Sequence, residues 1–199
     1  MVIATDRRYS LDDYRSREAS AEERHEYRNG EIVPMPGGSA NHSRIVGCLY
    51  VLLDRLLMDS DCEVFNSDLR LWIPEVQRGT YPDVMVTDGA PVFNQDGNGD
   101  RTDEILNPVL IAEVLSPSTE AYDRGDKFDA YRTLSTLCHY LLIYPHRPHV
   151  EYYERIDDGC WQLTVHKTLE AQLKFRDLPV EIFLSDLYRR TDFSQPYES

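Results

Sequence analysis

The chain has 199 residues, 41% of them hydrophobic, with 10 Gly and 11 Pro. That composition fits one globular unit able to bury its own core, and excludes a disordered or fibrous chain. The 21 basic and 35 acidic residues leave a formal net charge of −14, which excludes nucleic-acid binding through a broad basic face but leaves room for a small phosphate-binding cleft.

Residues 1–30 are polar. Ser10-Leu11-Asp12-Asp13 reads as a helix start, with Ser10 as cap and acids in the first turn. Asn29-Gly30 is a tight-turn signal ahead of a short strand at Glu31-Ile32-Val33. From about His42 to Met58, the spacing of Ile45, Val46, Leu49, Leu52, Leu53, Leu56 and Leu57 predicts an amphipathic helix. Asn41 is its expected cap, and His42 falls on the inward side of its first turn. Leu69 to Ile73 alternates as a half-buried strand does, and Pro82 to Val86 begins another.

The acid-rich stretch 88–107 reads as a loop. Pro108 to Leu115 is almost continuously apolar, the mark of a central strand covered on both faces. A helix is expected from Asp123, its natural cap, to Leu134. Tyr140 to Tyr144 reads as a second buried strand. His149–Tyr153 and Trp161–Val165 read as a hairpin turned at Asp157-Asp158-Gly159. The tail past Arg190 is polar and expected to fray. The expectation is a single domain over residues 1–199.

No stretch approaches the roughly 18 apolar residues of a membrane helix, and MVIATDRRYS has no apolar core of signal-peptide length. The four cysteines, Cys48, Cys62, Cys138 and Cys160, form no CxxC pair, so buried free thiols are expected. A cytoplasmic protein without membrane contact follows as the expectation.

The anomaly is Glu113, a carboxylate inside an apolar strand. Buried and unpaired, it would cost several kcal/mol, so a cation or a metal should compensate. Asp83 opens a separate strand just after a proline, and two acids on adjacent strands can converge on one magnesium or manganese ion, with a backbone carbonyl completing the set. Lys127 lies four residues after Asp123 and four before Tyr131, so the three share a helical face. A lysine beside two carboxylates and a metal can orient a water or offset phosphate charge. Singly, each signal has a blander reading. Pro-Asp is common turn chemistry, Lys127 could be a solvated helix residue, Glu26 a surface acid and His42 an interior histidine. Glu113 could pair with Arg124 or Arg132.

Tyr81-Pro82-Asp83-Val84, then Glu113 through Thr119, then Asp123, Lys127 and Tyr131, resemble the Uma-type endonuclease family of the PD-(D/E)XK nuclease superfamily. Glu26 with Asn29-Gly30-Glu31, His42 with Arg44-Ile45, and the 140–143 and 149–153 strands extend the resemblance over about residues 8–190. It implies an α/β, restriction-endonuclease-like core, a mixed β-sheet flanked by helices. It also implies Asp83, Glu113 and the Val114 carbonyl as metal ligands. Glu26, on the first helical segment, would hold a second ion or a water, with His42 as an accessory catalytic residue. The superfamily's lysine two residues after the glutamate is Leu115 here, and Lys127 fits the displaced role.

The expected function is therefore a Mg2+- or Mn2+-dependent endonuclease acting on nucleic acid, DNA in the first instance, as a homodimer. One alternative is a catalytically silent nuclease-fold module acting through protein contacts as a dimer. It is motivated by the acidity and by the absence of any Lys/Arg run of five or more. An acid-pair glycosidase fits Lys127 less well.

Overall fold

The computed structural model describes residues 8–95 and 102–194. Asp96 and Asp100 of the acidic stretch, and the last five residues of the expected tail, lie outside the described residues. In chain order the elements are α1 (Leu11–Glu18), β1 (His25–Arg28), β2 (Glu31–Pro34), α2 (Ala40–Leu57), β3 (Glu63–Asn66), β4 (Arg70–Ile73), β5 (Arg78–Thr80), β6 (Val84–Thr87) and β7 (Glu104–Ile105). There follow β8 (Pro108–Val114), α3 (Glu120–Arg124), α4 (Asp126–Tyr131), β9 (His139–Ile143), β10 (Val150–Asp157), β11 (Cys160–His166), β12 (Gln172–Lys174), β13 (Glu181–Phe183) and α5 (Leu184–Leu187).

The larger sheet has the order β11-β10-β9-β8-β6-β3. Only its β8–β9 pair is parallel, so the sheet is mixed. Every residue of β8 is buried, as its apolar run predicts. Alternation sorts its side chains. Leu110, Ala112 and Val114 join the core formed with α2 and the C-terminal segment, while Ile111 and Leu115 join the core beneath α4. Glu113 shares the parity of Ile111 and Leu115, and that parity delivers its carboxylate to α4.

The smaller sheet has the order β2-β1-β5-β4-β7. Its Leu71, Ile73 and Ile105 pack into the same core as Met85, Ile111 and Tyr140 of the larger sheet. The β1–β2 hairpin turns at Asn29 (φ 47°) and Gly30 (φ 98°). Two successive positive φ values are what a primed two-residue turn requires. Helix α1 carries the expected Ser10 cap, with Asp13 closing a capping box.

Several expectations are corrected. Helix α2 starts at Ala40 with Ser39 as its cap. Asn41 instead is buried and binds the carbonyls of Pro145 and Asp192. The expected helix from Asp123 is two short helices interrupted at Gly125 (φ −104°, ψ −105°), and Asp123 sits inside the first of them. The acidic loop contains β7, whose fully buried Glu104 pairs with Arg15 and Arg70. Strands β3 and β5 escape sequence reading because each is short, and Arg78-Gly79-Thr80 lacks apolar alternation. Fraying does not begin at residue 191: the Asp192 amide donates to Asn41 Oδ1 at 3.1 Å. All four cysteines are free, but Cys48, Cys62 and Cys138 are only half-buried and Cys160 is exposed. Among the described residues, no helix is long and apolar enough to cross a membrane.

Candidate active site

Glu26, His42, Asp83, Glu113, Val114 and Lys127 all line one cleft of about 100 Å³. Sheet pairing brings two of them together. Val84 pairs with Ala112 across β6 and β8, so Asp83 stands beside the end of β8. There its Oδ2 accepts the Val114 N–H at 2.7 Å. The same oxygen lies 3.1 Å from His42 Nε2. Burial works against a charged His42, but the hydrogen bond and charge of Asp83 outweigh it and raise its pKa. The ring approaches closely over Gly38, where an added Cβ would lie 2.7 Å from His42 Nδ1.

Glu113 is 4% exposed. Its Oε1 receives Lys127 Nζ at 2.8 Å and the Tyr131 hydroxyl at 2.7 Å. The Tyr131 hydroxyl in turn lies 3.1 Å from Thr80 Oγ1. Lys127 Nζ also reaches Asp123 Oδ1 at 3.3 Å and Glu26 Oε1 at 3.5 Å. The Asp123, Lys127, Tyr131 alignment survives the break at Gly125. Neither suggested arginine partner of Glu113 is used: Arg124 turns to Glu151 and Glu120, and Arg132 to Asp129.

Glu26 lies on β1, not on a helical segment. Its Oε2 accepts from Arg28 Nε and Nη2 at 3.1 and 2.8 Å, and from the Tyr122 hydroxyl at 3.0 Å. The Arg28 guanidinium stacks 3.7 Å from the Tyr122 ring centroid. Sequence reasoning missed Arg28 and Tyr122 altogether and read Asp123 only as a cap and face-mate. The role of Tyr131 carried one signal, its spacing of four from Lys127.

Electrostatics in the cleft are unbalanced. Glu26, Asp83, Glu113 and Asp123 face only two permanent cations, Arg28 and Lys127. Burial, reinforced by Asp123 and Asp83 and opposed by Lys127, pushes Glu113 up to about 8. Burial opposes the charge on Lys127, yet the surrounding acids, Glu113 foremost, raise its pKa. For Glu26, burial is outweighed by Lys127 and Arg28, and its pKa is lowered. Asp83 Oδ1 and Glu113 Oε2 make no hydrogen bond or ion pair among the described residues. Two carboxylates with one free oxygen each, in a cleft with surplus negative charge, fit a hard divalent cation. No cluster of three or more His, Cys, Asp or Glu side chains suited to a metal occurs among the described residues. The side chains that could hold such an ion are Asp83 and Glu113, and the Val114 main chain lies beside them in the cleft.

A mixed sheet flanked by helices, with its acids at the ends of adjacent strands, defines a restriction-endonuclease-like fold. The crystal structure of a "putative nuclease belonging to DUF820" from Anabaena variabilis matches it with a TM-score of 0.73. That match covers 91% of this chain and 98% of that one at 18% identity. The profile of the Uma2 family, described as "Putative restriction endonuclease", matches residues 11–185, and the chain belongs to that family. An uncharacterised protein of Synechocystis sp. is 41% identical over 175 residues, covering 88% of this chain and 97% of the relative. A second from the same organism is 38% identical over 184 residues, covering 92% and 93%.

Proposed function

We propose that this chain is a metal-dependent endonuclease that hydrolyses phosphodiester bonds in DNA. The observation that carries the reading is the 2.8 Å contact of Lys127 with Glu113 in the cleft that also holds Asp83. Asp83 and Glu113, with the Val114 carbonyl, would hold magnesium or manganese. When bound, such an ion supplies acidity to water and charge to offset that of a phosphate.

The chain's own groups do the rest. The Val114 amide and His42 Nε2 both engage Asp83 Oδ2, which fixes the rotation of that carboxylate. Tyr131 and Lys127 do the same for Glu113 through Oε1. Lys127 places a positive charge where a phosphate entering the cleft would gather negative charge. Arg28 and Tyr122 hold Glu26 against Lys127 from the other side.

The test is a calorimetric titration of manganese into the wild type, Asp83→Ala and Glu113→Ala, followed by a DNA-cleavage assay that adds Lys127→Ala. The expected result is binding lost in both acid variants and cleavage lost in all three, with circular dichroism unchanged. Equal cleavage in every variant would overturn the reading. The silent-module reading rests on the net charge of −14 and on the three carboxylates that already occupy Lys127. A wild type that binds no manganese and cuts no DNA, yet runs as a dimer, is the outcome that favours it.

A further inference from the structure

The sequence contains no run of five or more cations, but the fold gathers four arginines from two distant segments. Arg44 and Arg55 on α2 and Arg189 and Arg190 after α5 line a single groove of about 340 Å³. All four are exposed. Arg44 donates to the Asn41 side chain, and none of the four has a carboxylate partner among the described residues. The one acid lining the groove, Asp186, forms no ion pair there either. Outside the groove, seven of the twelve described arginines meet carboxylates: Arg15, Arg24, Arg28, Arg70, Arg124, Arg132 and Arg176. With 35 acidic residues against 21 basic ones, four adjacent unpaired arginines are a local inversion of the chain's charge.

A second observation concerns the groove wall. Gly47 lies between Arg44 and Arg55 on an exposed turn of α2, and a methyl built on it meets nothing within 4 Å. Glycine weakens a helix interior relative to alanine, and packing within this chain does not require it here. Its absent side chain lets a partner's backbone come close to the helix. Arg44 and Arg55 are eleven residues apart, so they span about 16 Å along α2. That matches the run of about five base pairs along a duplex. At 100° per residue, Arg44, Val51 and Arg55 stand about 180–220° round α2 from His42, so the groove lies on the side of the helix turned away from the cleft.

Resting on the nuclease reading, we infer that this arginine groove docks the phosphate backbone of DNA, as a surface apart from the cleft. It reconciles an acidic protein with a polyanionic substrate: the contact is confined to one assembled stripe, and the rest of the surface repels. The partner is nucleic-acid phosphate rather than an acidic protein, because the cations are arginines spread along a straight helix with a backbone-sized gap between them.

The experiment is fluorescence anisotropy of a short labelled DNA duplex with the full chain, in chelator so that nothing is cut, over a series of salt concentrations. The variants are Arg44→Gln/Arg55→Gln/Arg189→Gln/Arg190→Gln together, and Gly47→Gln alone. The fourfold variant should weaken binding about tenfold or more. It should also reduce the slope of log affinity against log salt by about 3 to 4, near one per lost phosphate contact. Gly47→Gln should weaken binding while leaving thermal stability equal or higher, which separates a blocked groove from a damaged fold. Wild-type affinity and slope in the fourfold variant would overturn the inference. So would a wild type that binds no duplex, or a fourfold variant that changes only its oligomeric mass. Manganese titration and cleavage, measured in parallel, report on the cleft independently. A groove that fails while the cleft still binds manganese leaves the nuclease reading standing.

Discussion

Lys127 and Glu113 meet at 2.8 Å with both residues about 95% buried. Glu113 is there because strand alternation points it away from α2. Lys127 is there because α4 lies over that face of β8. The ammonium is shared with Asp123 and Glu26, so one cation anchors carboxylates from three separate elements. The pair is therefore a structural joint as well as a candidate for chemistry.

Removing the lysine should reveal both roles. Lys127→Ala leaves three buried carboxylates without their shared cation, and breaking a buried pair costs about 3–5 kcal/mol. Glu113→Gln keeps shape and volume, and Lys127 retains Asp123 and Glu26, so its cost should be about 1 kcal/mol. Urea denaturation should rank the variants in that order, while both lose metal-dependent cleavage. Equal stability of Lys127→Ala and wild type would show that the joint carries no load.

Tyr131 is the positioning residue to examine next. Its hydroxyl donates to Glu113 Oε1 and meets Thr80 Oγ1. Tyr131→Phe deletes only that oxygen. Residues that orient a metal ligand are typically worth about 10- to 100-fold in metal affinity, and a buried hydrogen bond to a charged group is worth about 1.5–3 kcal/mol. Manganese affinity should drop by at least the lower factor while Lys127 stays paired. An unchanged affinity with a lowered melting temperature would leave Tyr131 a purely structural role.

Much of this site was legible in the residues themselves. A lone Glu113 inside an apolar strand demands a partner, and the spacing of Asp123, Lys127 and Tyr131 places one on the right face. Asp83 was legible because Pro82 marks a strand start. Glu26 was legible only as a residue, not as a strand position, because His25–Arg28 is four residues long and His25, Glu26 and Arg28 leave no apolar alternation to read. The Arg28–Tyr122 stack closes on Glu26 from 96 residues away, and no local pattern encodes such a pairing. The arginine groove is hidden for the same reason, since its cations come from 44–55 and 189–190.

Gly38 offers a test that touches no charged group. A Cβ at this position would sit 2.7 Å from His42 Nδ1 and 3.0 Å from Cγ, closer than real contacts allow. Gly38→Ala should therefore push the imidazole off Asp83 Oδ2. The His42 resonance should lose the upward pKa shift that Asp83 confers, as NMR titration would read. An unmoved titration would mean that the 34–38 segment, not the histidine, gives way.

The last prediction concerns acid stability. His139 on β9 is 1% exposed, with Nδ1 2.8 Å from the Tyr152 hydroxyl and Nε2 buried without a partner among the described residues. Burial holds it neutral, pushing its pKa down to about 4 from 6.5. Between those values the unfolded chain binds a proton that the folded chain refuses, so stability falls as pH drops from about 6.5 toward 4 and then levels off. The full loss is about 3 kcal/mol, at 1.36 kcal/mol per pKa unit. His139→Asn keeps a polar atom near Nδ1 for Tyr152 and has nothing to titrate. Urea midpoints of wild type and variant should converge as pH falls through this window, because only the wild type carries the histidine's share of the loss. Parallel curves between pH 6.5 and 4 would assign the acid sensitivity to carboxylates, with the buried Arg15–Glu104 pair as the first place to look.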